Sequence, residues 1–167
     1  IAYGNTVSGV NFSVNYNKNT DNNGSDKSIG LDYSPTDGLM VFAATSDQAG
    51  SSTTTDKANS FGLTYTSMGA TFGVQRTSVD SATAATDTDR THIAASFAVN
   101  ENLSVSYGMS TVGFESSTKT DQEDSGFAAS YTMGSMSFGA SVNQSDNVDG
   151  TSGTDDTHKE MSVAFAF

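Results

Sequence analysis

The last residues of the chain, Met161-Ser162-Val163-Ala164-Phe165-Ala166-Phe167, alternate a large apolar side chain with a small or polar one. Successive side chains of a strand point to opposite faces, so such a segment has one face for hydrocarbon and one for water. The same two-residue period recurs along the whole chain. It marks Val10-Phe12-Val14-Tyr16, Leu39-Val41-Ala43, Phe72-Val74, Leu103-Val105-Tyr107-Met109 and Met136-Phe138-Ala140-Val142 as strands of one direction. Ile29-Leu31-Tyr33, Phe61-Leu63-Tyr65, Ile93-Ala95-Phe97-Val99, Phe127-Ala129-Tyr131-Met133 and Met161-Val163-Phe165-Phe167 answer them in the other. Ten strands are expected over residues 1–167, read as one domain, and no segment carries a helical apolar stripe.

The connections alternate in length. Pro35-Thr36-Asp37-Gly38, Ser67-Met68-Gly69, Asn100-Glu101-Asn102 and Gly134-Ser135 are short. Those at 19–26, 47–58, 78–91, 116–124 and 145–157 are long and rich in Ser, Thr, Asn, Asp and Gly. Loops sorted in this way are the arrangement of an outer-membrane barrel, with short turns at the periplasm and long loops outside. A soluble sandwich has no reason to sort them.

Composition agrees once the two-faced strand is taken into account. Only 35% of the residues are hydrophobic, and no run approaches the length of a transmembrane helix. Barrel strands need apolar residues only at alternate positions. There is no cysteine, hence no disulfide or thiol nucleophile. A net charge of −12 argues against nucleic acid as a partner.

The start of the chain repeats the later hairpins: Ile1-Ala2-Tyr3-Gly4-Asn5 precedes Thr6-Val7-Ser8-Gly9 and then Val10. Ile1 to Tyr3 therefore reads as the lower end of a descending strand, which implies further strands on the N-terminal side.

The Val163-Ala164-Phe165-Ala166-Phe167 ending, hairpins such as Lys27-Ser28-Ile29-Gly30-Leu31-Asp32-Tyr33-Ser34-Pro35, and the acidic Ser/Thr loops resemble the C-terminal part of a Gram-negative general porin of the alphaproteobacterial kind. The resemblance covers nearly the whole chain and is one of pattern. It implies part of a sixteen-stranded transmembrane antiparallel β-barrel, homotrimeric, through which ions and small hydrophilic solutes diffuse. It implies an outer-membrane location with the C-terminus periplasmic. It also makes Met161, Val163, Phe165 and Phe167 the signal read by the outer-membrane assembly machinery. The family's inward-folded loop and much of its arginine cluster have no counterpart in these residues.

Several groups of side chains follow from the face assignment. Tyr3, Tyr33, Tyr65, Phe97, Tyr131 and Phe165 would form an aromatic girdle at the periplasmic lipid boundary. Asn11, Asn15, Asp32, Gln75, His92 and Glu160 are the larger groups on a face otherwise built of Ser, Gly and Ala, and are candidate pore-wall residues. Such small residues cannot fill a barrel interior, so the lumen is aqueous. Lys18, Lys27, Lys57, Arg76 and Lys159 fall on the outward parity near the long-loop ends, where they could reach lipopolysaccharide phosphates above the hydrocarbon. Asp149, Asp155 and Asp156 are the nearest approach to a calcium loop, though without its ligand spacing. No cofactor is expected otherwise. His92 near Asp89 and His158 near Glu160 are the only residues that invite a rim protease. The expectation is a channel and not an enzyme. The alternatives are a complete ten-stranded barrel acting as adhesin or surface receptor through its acidic loops, and a soluble solenoid or sandwich.

Overall fold

The computed structural model describes residues 1–18, 24–49, 55–82 and 86–166. Eleven strands form one antiparallel sheet in strict sequence order: β1 (Ala2–Val7), β2 (Val10–Lys18), β3 (Ser25–Thr36), β4 (Leu39–Ala49), β5 (Thr55–Ser67), β6 (Ala70–Asp80), β7 (Thr88–Ala98), β8 (Leu103–Phe114), β9 (Gln122–Met133), β10 (Met136–Asp146) and β11 (Asp156–Phe165). A 3₁₀ turn, Val148–Gly150, lies between β10 and β11. The sheet is open, with β1 and β11 as its edges.

The ten expected strands are present, and the strand end before them is a strand in its own right, which makes eleven. The segment expected to supply only a strand end, with Thr6 and Val7 beyond it, is a strand through Val7, and Val7 pairs with Val10. Only Ser8 and Gly9 turn, both with positive φ (50° and 83°). Met68 and Gly69 do the same (50° and 79°) between Ser67 and Ala70. Two consecutive left-handed residues match the right-handed twist of the flanking strands, so these hairpins close without splaying. At the other end the strands run further than the apolar alternation suggests. Asp26, Asp56, Asp124 and Asp156, expected in loops, all lie within strands.

Register sets the geometry of the wall. Along the hydrogen-bonded rungs, the first residue of each rising strand aligns with the third residue of the next. The rungs are Val10–Tyr33–Val41, Leu39–Tyr65–Phe72, Ala70–Phe97–Val105 and Leu103–Tyr131–Phe138. The stagger is thus one residue per strand. With a rise of ~3.3 Å per residue and ~4.8 Å between strands, it corresponds to a tilt of about 35°. That lies at the edge of the range of barrel walls.

Among the described residues no second layer of strands or helices covers either face of the sheet. Among the described residues the only buried hydrophobic side chains are Ala49 and Val112, and no large side chain is fully enclosed. Ile29, Leu31, Phe61, Phe127, Val163 and many like them are exposed on one face. Rungs across eleven strands carry that face over roughly 50 Å. A soluble monomer rarely exposes a continuous apolar patch of more than a few hundred Å². The sheet is built to be covered on this face and wetted on the other.

Candidate functional site

Pairing places every strand residue on one of two faces, because directly opposed residues share a face. The apolar face is layered. Tyr33, Tyr65, Phe97, Tyr131 and Phe165 each pair with the first residue of a rising strand, namely Val10, Leu39, Ala70, Leu103 and Met136. Five aromatic rings therefore lie at one level beside the short turns. Tyr3 departs from that level. It pairs with Val14 and stands higher, with Asn5 below it opposite Phe12, because β1 continues to Val7. Tyr3 stacks on Phe12 instead, with ring centroids 5.8 Å apart. Met161, Val163 and Phe165 share this face, and Phe167 lies outside the described residues.

Above the rings, apolar residues continue for about six residues, or ~16 Å at this tilt, before charge appears. Arg76 lies six positions beyond Ala70, Lys18 eight beyond Val10, and Lys27 and Lys159 oppose Tyr16 and Val142 at similar heights. Lys57 stands higher, opposite Asp80. All five have the apolar-face parity. This level also carries acids that periodicity did not single out. Asp47 sits between Lys27 and Lys57, which is flanked on its other side by Asp80. Arg76 is 3.3 Å from Asp89, both half exposed. The rung alternates in sign, an arrangement that favours strand pairing.

The polar face carries the other set. Asn11 accepts from the Thr6 hydroxyl (2.6 Å) and donates to the Asp32 carboxylate (2.7 Å). Asn15 donates to Ser28 (3.2 Å) and Gln75 to Ser60 (2.9 Å) and Thr77 (3.2 Å). Gln75 pairs with His92, so the two are neighbours across β6 and β7. Glu160 borders a hollow of about 430 Å³ lined by Ser96, Ser106, Ser130, Ser141 and Ser162. Six candidate wall residues thus share one face, spread from β2 to β11.

Several polar-face residues escaped the sequence reading. Phe42 and Met40 oppose Gly62 and Thr64, and Arg90 opposes Thr77. Parity alone would have found them, but the run Leu39-Met40-Val41-Phe42 is apolar at every position and hides its period. At the long-loop end, residues 147–155 fold onto this face. The Asp149 amide donates to Gln122 Oε1 (2.9 Å), Thr120 N–H to Gly150 O (3.0 Å), and Lys119 Nζ stands 4.4 Å above the Phe114 ring.

The calcium candidates are not brought together. Asp155 accepts from the Asn147 amide and Asp156 from the Thr157 amide, while Asp149 contributes its own amide. No three His, Asp or Glu side chains form a metal-holding group among the described residues. His92 and Asp89 lie on opposite faces, so that pair does not exist. His158 and Glu160 share the polar face, with 3.9 Å between Nε2 and Oε2 and both well exposed.

No protein-family model matches the sequence, and no curated protein does. Solved structures do match. The anion-selective porin from Comamonas acidovorans superposes with a TM-score of 0.78 at 13% identity, over 99% of this chain and 58% of that one. The fold is that of a porin wall. A triple mutant of Rhodopseudomonas blastica porin gives 0.69 at 18% identity, over 99% and 54%. A loop-deletion mutant of OmpT, an outer membrane protein of Vibrio cholerae, gives 0.70 at 16%, over 98% and 61%. The chain therefore spans a little over half the length of these porin-fold structures, and it aligns along nearly all of its own length.

Proposed function

We propose that this chain is part of the wall of a bacterial outer-membrane porin, a water-filled channel for passive diffusion of ions and small hydrophilic solutes. The carrying observation is the pairing of two uncovered faces in one staggered sheet: a level, ring-bordered apolar face and a face of small polar residues. Lipid covers the first and water the second. The edges β1 and β11 each leave a row of backbone groups that a bilayer cannot satisfy. Further strands close the barrel, as the length of the porin-fold structures allows, toward sixteen in all. The complete ten-stranded adhesin or receptor fits an open sheet of eleven strands poorly.

In this reading the short turns are periplasmic and the long acidic loops extracellular. The aromatic row marks the inner boundary of the hydrocarbon, and the assembly machinery reads the C-terminal strand. The barrel associates as a homotrimer. Transport needs no catalytic residue, since selection by width and wall charge is sufficient. Lys18 and Lys159, which have no acid directly opposite, and to a lesser degree Lys27, Lys57 and Arg76, contact lipopolysaccharide phosphates. Substituting Lys18 and Lys159 to Ser weakens lipopolysaccharide retention more than substituting Lys27 and Lys57, because Asp47 and Asp80 partly neutralise the latter pair.

The test is reconstitution of the full-length protein from its outer membrane into planar bilayers and into liposomes. Stepwise conductance in KCl and swelling rates that fall with sugar size are expected. A folded, inserted protein that passes neither overturns the reading.

A further inference from the structure

Phe42 is the one Phe or Tyr on the polar face below the long-loop rim among the described residues, in a wall where Ser, Thr, Asn, Gly and Ala predominate. Its ring reaches across to the neighbouring strand, over Gly62. A Cβ added to the opposing Gly62 would come within 2.6 Å of the Phe42 ring and 2.5 Å of the Val74 carbonyl oxygen, so the glycine makes the room that the ring occupies. Phe42 remains partly exposed and borders a hollow on the same face, so part of its ring stays open to that side. The rung through Phe42 is Asp32–Phe42–Gly62–Gln75–His92. On one side stands Asp32, the only acid on the strands in the short-turn half of this face, held in place by Asn11. On the other lies a hollow of about 190 Å³ bounded by Phe42, Thr64, Gly73, Gln75, His92 and Ala94. It has room for a few water-sized groups.

We propose that this rung is a solute-recognition patch for small organic cations that carry a polar tail. The cationic head lies between the Asp32 carboxylate and the open part of the Phe42 ring, where the ring quadrupole attracts it. The tail lies in the hollow beside Gln75 and His92. Charge on the rest of the face favours the same solutes. Asp26, Asp56, Asp124, Asp156 and Glu160 line its long-loop half against the single Arg90, so cations are concentrated on the way in. A neutral sugar would gain the ring but nothing from that field. The inference rests on the porin reading, since it places the polar face in a lumen.

Choline chloride, whose quaternary ammonium carries a hydroxyl tail, is the probe. The full-length protein in planar bilayers is titrated with choline against a constant KCl background. Choline is expected to reduce the K⁺ current saturably. The half-effect concentration should rise about two- to fivefold in Phe42→Leu, which keeps an apolar cover over Gly62, and by a similar factor in Asp32→Asn. Phe42→Tyr should restore it. Unchanged titrations in both variants, with KCl conductance intact, overturn the inference alone. An equal change in the effect of glucose also overturns it, because packing of the wall and not cation recognition would then be responsible. Absence of any KCl conductance contradicts the porin reading, and the inference falls with it.

Discussion

Leu63 and Thr64 are adjacent in sequence and, in the porin reading, belong to different solvents. Leu63 opposes Val41 and Val74 on the apolar face, whereas Thr64 opposes Met40 and Gly73 on the polar one. In a soluble protein the contrast between faces is one of burial. Here both faces are open among the described residues, and on the proposed reading the contrast is between hydrocarbon and water. The sheet is accordingly held by its ladder and turns and not by a packed interior, since no large side chain is fully enclosed among the described residues. Side-chain size has a different meaning on each face. Bulk on the apolar face meets lipid, and smallness on the polar face leaves room for water.

The sharpest way to break this comparison is to move one charge by one residue. Leu63→Arg places a cation in the middle of the apolar band and should cost about 2–4 kcal/mol of folding stability in lipid vesicles. Thr64→Arg should cost far less and should instead change conductance. Equal costs in a denaturant titration would mean that the two faces do not meet different solvents. A smaller effect belongs to the turns. Gly69 has φ near 79°, so Gly69→Ala should lose about 1 kcal/mol in the same titration. The smallest is expected at the boundary, where Arg76 and Asp89 are both half exposed. Asp89→Asn should cost less than about 1 kcal/mol and less still at high salt. A larger loss would show that this pair lies within hydrocarbon, not at its edge.

Most of the fold was legible because period two survives where one face is apolar and the other small. The Val10, Leu31, Tyr107 and Val163 strands needed no other signal. Legibility failed in three places for physical reasons. Where both faces are polar, as at Asp26, Asp56, Asp124 and Asp156, a strand has no hydrophobic period and reads as loop. Where both are apolar, as from Leu39 to Phe42, the period is present but masked, and Phe42 was missed. In β1, Gly4, Asn5 and Thr6 supply too little contrast to mark the strand to Val7, which also set Tyr3 at the wrong level. Loop docking, such as Asp149 on Gln122, depends on left-handed backbone at Asn147 and Asp149 and leaves no periodic trace. The face of each candidate wall residue follows from parity alone. Their neighbours across strands follow only from register.

The most direct test of the two-solvent wall uses the absence of cysteine from this chain, with any cysteine elsewhere in the full-length protein replaced by Ser. Single variants Leu63→Cys, Thr64→Cys, Tyr65→Cys, Val74→Cys and Gln75→Cys are reconstituted in liposomes and exposed to a small membrane-impermeant thiol reagent. The account predicts rapid labelling at positions 64 and 75 and protection at 63, 65 and 74. Uniform labelling, uniform protection or the opposite alternation would contradict it.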